Sequence, residues 1–210
     1  MIKKEIKAVF LDFDLTLVDS RPAVKATYKR LSKLIGKKPT KKGFQEYVGS
    51  RFSEVIEKLH KESGIPKKKL IDVYHKTYIG NVSKLRYYGK SLVSKLNKKG
   101  ITIIILTNNH KETVKKSCDH FNIRYNKLIA DKDMKKGEKK HDAIKKELKS
   151  MRLNPSEALY VGDHINDIKE ADKAGISSVI VPTGVFKKLE LKRHNPDLII
   201  PSLNKLAKVI

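Results

Sequence analysis

Cysteine is almost missing: the 210-residue chain has one, Cys118. That excludes an internal disulfide and a thiolate metal cluster, both of which need at least a second sulfur. No apolar run approaches the roughly 18 residues that cross a bilayer, the longest being Ile101 to Leu106. No small-residue cleavage site follows the basic N-terminal stretch MIKKEIK. These absences point to a cytoplasmic chain with no membrane partner. The histidines form no HExxH or similar spaced pair, so surface or packing roles are expected for all but His164. Acidic residues are scarce beside basic ones, 23 against 47, for a net charge of +24. Such a charge attracts polyanions through counterion release. The lysines, however, are dispersed along the whole chain with no arginine-rich block and no aromatic interleaving, so they read as solvated helix faces and nucleic acid is not expected as a partner.

What is present is a chain long enough for one large domain, or for a core with a smaller insert. Apolar runs at Ile6–Leu11, Ile101–Leu106, Lys127–Ala130, Glu157–Gly162, Ser177–Val181 and Asp197–Ile200 predict strands. Helical patterns separate them: SLVSKLNKK, KETVKKSCDHF, HDAIKKELKSM and NDIKEADKAG. Strands that are apolar throughout and alternate with helices imply a parallel sheet covered on both faces. Residues from about 20 to 85 break the alternation, with helical patterns and no strand. Pro22 and Gly36 punctuate the first of these helices, and Ser53 is the expected N-cap of the next.

The acidic residues of interest fall just after predicted strands, where ligands bind in open parallel sheets. Asp12 and Asp14 are two apart, so in an extended segment they point to one side. Adjacent carboxylates repel, and a divalent cation removes that penalty. After the fourth strand, GDHIND brings Asp163 and Asp167 to the same edge. Hard oxygen donors of this kind suit Mg²⁺. After the second strand, Thr107 and Asn108 offer donors to an anion.

DFDLT, then LTNN, then GDHIND, with lysines between the last two, resembles the haloacid dehalogenase superfamily in its phosphatase branch. The resemblance implies a three-layer α/β fold, a Rossmann-like parallel sheet core formed by residues 1–18 and 86–210, with an all-helical cap at 19–85. It implies a Mg²⁺-dependent phosphatase acting on a small phosphorylated metabolite, phosphoglycolate phosphatase-like. Asp12 would be the nucleophile that forms an aspartyl-phosphate, and Asp14 the acid and then the base. The Asp12 carboxylate, the Asp14 backbone carbonyl and Asp163 would hold Mg²⁺ with Asp167 in support. Thr16, Thr107 and Asn108 would face the phosphate. A pyrophosphatase or a phosphonate hydrolase of the same superfamily is the alternative, and a basic nucleic-acid-binding protein with a vestigial site is the alternative from another class.

The chain departs from the family pattern in three places. Leu15 stands where relatives with this cap often have glycine, and His164 where they often have serine. The usual Lys-Pro signature is missing from DMKKGEKKHDAIKKEL. Lys139 is the lysine expected to neutralise phosphate and nucleophile, with Lys140 next and Lys136 third. Arg51, in VGSRFSE, lies where relatives place cap residues facing substrate; it would either bind a substrate carboxylate or be solvated. Tyr47, Tyr87 and Tyr88 would face the cleft or pack the seam, and Cys118 reads as a small buried residue. No motif specifies the substrate or whether the protein is a monomer or homodimer.

Overall fold

The computed structural model describes residues 5–210; residues 1–4, the start of the basic N-terminal stretch, lie outside them. The alternation of apolar runs and helices becomes a six-stranded sheet in which every pairing is parallel. In chain order its strands are β1 (Ala8–Leu11), β4 (Thr102–Leu106), β5 (Lys127–Ile129), β6 (Ala158–Gly162), β7 (Ser177–Ile180) and β8 (Leu198–Ile199). In space they run β5-β4-β1-β6-β7-β8. The order reverses beside β1, so a crevice opens at its carboxyl end.

Strand parity divides the core. Val9, Leu11, Ile103, Ile105, Leu159 and Val161 face one side. There they pack on Leu92 and Leu96 of α5 (Lys90–Lys98) and Val114 and Cys118 of α6 (Lys111–Phe121). Phe10, Ile104, Leu106 and Tyr160 face the other side. They meet Ile144 and Leu148 of α7 (Lys140–Met151) and Ala171 and Ala174 of α8 (Ile165–Ala174). A short α9 (Lys188–Lys192) packs Leu191 against Ile168 and Ile180. Both faces are covered, which is why these strands are apolar at successive positions instead of alternating. Burial and the charge of Asp119 push the Cys118 thiol up to about 12, consistent with a small buried residue and not a nucleophile.

Four helices fill the stretch between β1 and α5: α1 (Arg21–Leu34), α2 (Lys41–Tyr47), α3 (Phe52–Ser63) and α4 (Lys67–Ile79). At the foot of this stretch β2 (Val18–Asp19) pairs antiparallel with β3 (Arg86–Tyr87), a two-residue ladder too short to leave a sequence signal. Leu15 turns the chain out of β1 with φ +64°, in the left-handed region. That is the conformation a glycine would adopt freely; here a fully buried leucine adopts it, at a cost of about 1 kcal/mol.

Two sequence expectations fail at the start of α3. Ser53 lies inside the helix, not at its N-cap: the capping carboxylate comes from Asp131, which accepts from the Ser53 N–H (3.2 Å) and hydroxyl (2.9 Å). Arg51 is neither solvated nor directed at a substrate. It is 7% exposed and pairs with Asp131, itself 5% exposed. The guanidinium also donates to the carbonyls of Asp131 (2.7 Å), Lys135 (3.0 Å) and Glu138 (2.9 Å), and to that of Met134. Five acceptors around one planar fork explain why an arginine sits here.

Arg51→Met strands the Asp131 carboxylate in the seam and is expected to cost about 3 kcal/mol of unfolding free energy. Adding Asp131→Leu should recover part of that loss. Urea midpoints of the two variants check this.

Candidate active site

β1 delivers Asp12 to the crevice, where its backbone N–H donates to the Val161 carbonyl (2.9 Å) and aligns it with the end of β6. β6 ends at Gly162, Asp163 follows on the turn into α8, and Asp167 lies in the first turn of that helix. Asp167 caps that helix, its Oδ2 accepting from the N–H groups of Asp163 (3.2 Å) and His164 (3.0 Å). Asp12, Asp163 and Asp167 are buried, and each offers a carboxylate oxygen within 4.8 Å of the others. The structure thus brings together three of the acids singled out in the sequence.

The lysine that joins them is Lys140, not the first-choice Lys139. Lys140 Nζ reaches Asp12 Oδ1 (2.8 Å), Asp167 Oδ1 (3.0 Å) and the Tyr160 hydroxyl (2.6 Å). Lys139, one residue earlier and half-exposed, pairs with Glu54 at 2.8 Å, and Lys136 is exposed on the preceding loop. Helix geometry explains the difference: Lys139 is the N-cap of α7 and Lys140 its first residue, and successive helical residues point about 100° apart.

Electrostatics follow from burial. Burial pushes the Asp12 carboxyl up to about 7 even though Lys140 opposes it. Burial, then the charges of Asp12 and Asp167, push Asp163 well above the usual carboxylate range. For Asp167 burial is outweighed by Lys140, and the carboxyl lies below its ordinary value. Burial would likewise depress Lys140, but Asp12 and Asp167 hold it well above the usual lysine range. Were all three carboxylates ionised, one ammonium would leave two negative charges in a buried site, which is why Asp12 and Asp163 favour their acid forms without a cation. Asp163 faces no cation within pairing distance among the described residues; its Oδ1 accepts from the Thr16 hydroxyl (2.7 Å). Gly184 closes over its other oxygen, so closely that a β-carbon there would sit 1.9 Å from Oδ2. A divalent cation with a preference for hard oxygen fits this donor set and balances its charge.

Asp14 is outside that cluster. Its Oδ1 accepts from the Tyr78 hydroxyl (2.8 Å) and its Oδ2 from Asn109 Nδ2 (2.6 Å). Thr16 departs from expectation: fully buried and bonded to Asp163, it orients a carboxylate and does not face the cleft. Thr107 follows β4, its Oγ1 accepting from the Asn109 N–H (3.2 Å). Asn108 spends its side-chain amide on the Gly49 carbonyl (3.2 Å), and its own carbonyl accepts from the Phe52 N–H (2.9 Å). A cleft of about 680 Å³ joins these groups, lined by Asp12, Asp14, Thr107, Asn108, Lys140 and Asp163 from the sheet edge. Val48, Gly49, Arg51, Phe52 and Tyr74 line it from the helical stretch. Gly49 has φ +89° and lies against the His164 ring, so a side chain there would collide with the start of α8.

Of the three tyrosines singled out in the sequence, Tyr47 lines the cleft and donates to Thr27 (3.0 Å). Tyr87 packs on Phe121, and Tyr88 donates to Asp19 (2.8 Å). Sequence reasoning missed Asn109, Tyr78, Tyr160 and Asp131. Tyr160 left one signal, a lone phenol in the apolar run ALYVG, whose buried hydroxyl needs a partner.

The profile of the haloacid dehalogenase-like hydrolases matches residues 9–181. A protein of Caldanaerobacter subterraneus provisionally named a pyrophosphatase, PpaX, is 27% identical over 98% of this chain and 95% of its own length. A phosphoglycolate phosphatase of Vibrio vulnificus is 23% identical over 100% of this chain and 98% of its own. Among solved structures, a Haemophilus somnus protein described as a predicted phosphoglycolate phosphatase superposes with a TM-score of 0.84 at 18% identity, covering 99% of both chains. A haloacid dehalogenase-like hydrolase of Streptococcus pneumoniae superposes with a TM-score of 0.75 at 20% identity, over 98% and 99%. At these identities the structural likeness establishes the fold.

The raised carboxyls of Asp12 and Asp163 carry a pH signature. Their acid forms are favoured in the folded state, so folding takes up protons and the cation-free protein loses stability as pH rises from about 4 through about 7. Cation binding needs those carboxylates ionised. Mg²⁺ is therefore expected to raise the melting temperature more at about pH 8 than at about pH 5, and Asp163→Asn to abolish that difference, as read by calorimetry with and without chelator.

Proposed function

The chain belongs to the haloacid dehalogenase-like hydrolases, and from that membership we propose that it is a Mg²⁺-dependent phosphatase of a small phosphorylated metabolite, working through a phosphorylated Asp12. One observation carries the reading: the Asp12 carboxylate is held by Lys140 at the rim of the sheet, in the same cleft as a second aspartate that the acidic cluster does not engage.

In the proposed reaction a phosphoryl group enters the cleft beside Asp12, where Lys140 and the Thr107 side chain receive its oxygens. Asp12 attacks phosphorus and the ester oxygen departs, taking a proton from Asp14. Water then attacks the aspartyl-phosphate in line and gives a proton to Asp14, which frees Asp12. A bound Mg²⁺, held by Asp12 and Asp163 with Asp167 nearby, would screen the negative carboxylate from the negative phosphate. The 19–85 stretch acts as a cap on a core made of 1–18 and 86–210, and its side of the cleft keeps bulk water from the intermediate. The setting proposed is the cytoplasm.

Phosphoglycolate-like substrates are the first choice, supported by the phosphoglycolate phosphatases among the relatives. Pyrophosphate is the second, supported by the likeness to PpaX. A panel of phosphorylated metabolites ranked by kcat/KM separates them. With Mg²⁺ the protein should hydrolyse a generic aryl phosphate. Asp12→Asn is expected to lower turnover about a thousandfold or more without lowering the melting temperature. Retained turnover in that variant would remove Asp12 as nucleophile.

A further inference from the structure

We propose that Tyr78, a residue of the helical cap, positions the Asp14 carboxylate for proton transfer, so that the acid–base group is complete only with the cap seated on the core. The inference rests on the phosphatase reading above and assigns a role that the family motifs do not contain.

Tyr78 lies in α4 with no exposed surface, and its hydroxyl donates to Asp14 Oδ1 at 2.8 Å. The other carboxylate oxygen accepts from Asn109 Nδ2 at 2.6 Å. Asn109 is itself fixed: Tyr74, one turn before Tyr78 on α4, donates to its Oδ1 at 2.5 Å, and its N–H donates to Thr107 at 3.2 Å. Tyr74 packs on Phe52 with ring centroids 4.7 Å apart, tying α4 to the start of α3. One donor on each oxygen, one from the cap and one from the core, sets the plane of the Asp14 carboxylate. Burial, then the Asp14 charge, push the Tyr78 phenol well above its ordinary value, so it stays a protonated donor.

The chemistry gives this geometry a consequence. In the first half-reaction the Asp12–phosphorus bond forms and the phosphorus–oxygen ester bond breaks. The leaving oxygen keeps the bonding electron pair and takes the Asp14 proton, which leaves Asp14 as a carboxylate. Tyr78 and Asn109 are already aimed at the charge that develops there, so no reorganisation accompanies proton transfer. In the second half-reaction water bonds to phosphorus, the Asp12–O–P bond breaks, and the water proton goes to Asp14. An alkoxide leaving group needs the proton; an acidic phenol does not. A contact that serves proton donation must therefore matter for alkyl esters and not for activated aryl esters, whereas a contact that only packs the protein affects both alike.

The test compares kcat/KM, which covers steps up to formation of the phosphoenzyme, for a primary alkyl phosphate and for 4-nitrophenyl phosphate. Tyr78→Phe removes one oxygen. It is expected to lower kcat/KM about tenfold or more for the alkyl ester and less than about threefold for the aryl ester. In an Asp14→Asn background it should change aryl-ester turnover less than about twofold. Asn109→Leu removes the other donor and carries the same expectation if Tyr78→Phe does not fold. Equal losses on both esters, or no loss on the alkyl ester, would overturn the proposal while leaving the phosphatase reading intact. An unaltered protein that hydrolyses neither ester would overturn both.

Discussion

Lys140 is buried between Asp12 and Asp167, and the rim of the sheet is built around the charge this leaves over. Taking one ion out of water costs several kcal/mol, and a well-packed apolar group would usually serve stability as well or better. Here Asp12 and Asp167 share one ammonium and Asp163 faces no cation among the described residues, an arrangement that maximises neither packing nor neutrality. It keeps carboxyls at the cleft that become an unbalanced negative site once ionised. Other contacts surround these acids: Tyr160 hydrogen-bonds both Lys140 and Asp167, Thr16 bonds Asp163, and only a residue without a side chain fits at Gly184 beside Asp163.

The helical stretch attaches to this rim by two kinds of contact. Arg51 grips the 131–138 loop through Asp131 and four carbonyls, in a seam dry enough that the pair is screened little by solvent. Tyr74 and Tyr78 reach from the other side to Asn109 and Asp14. The first contact is placed for holding and the second for aiming. Both join a side chain of the helical stretch to a loop at the carboxyl end of a strand, the region where an open parallel sheet gathers its ligands. The cleft between them owes its shape to how these two halves meet.

The relatives carry different activities in their names, pyrophosphatase and phosphoglycolate phosphatase, over nearly the full length of the same chain. A shared fold supports many substrates because chemistry and selection are carried by different residues. In the proposed reaction the acids at the rim would serve any phosphoryl group. Lys42, Gln45, Glu46 and Tyr47 line the cleft from α2, a helix with no buried residue.

Much was legible in the chain alone. Period and length separated strands from helices, because a strand covered on both faces must be apolar throughout. Two aspartates spaced by two, and two more spaced by four after another strand, marked one edge of the sheet, because topology sends the end of every parallel strand there. Tertiary structure decided the rest. Lys140 and not Lys139 enters the site because the phase of α7 fixes direction residue by residue, and that phase depends on where the helix starts. Arg51 turns inward because a loop eighty residues away presents Asp131 and a set of free carbonyls. Tyr78 and Asn109 meet on Asp14 because α4 folds back over the end of β4. Periodicity is a local property and survives in the one-dimensional string, whereas the partner of a buried charge or hydroxyl is set by whichever distant segment packs beside it.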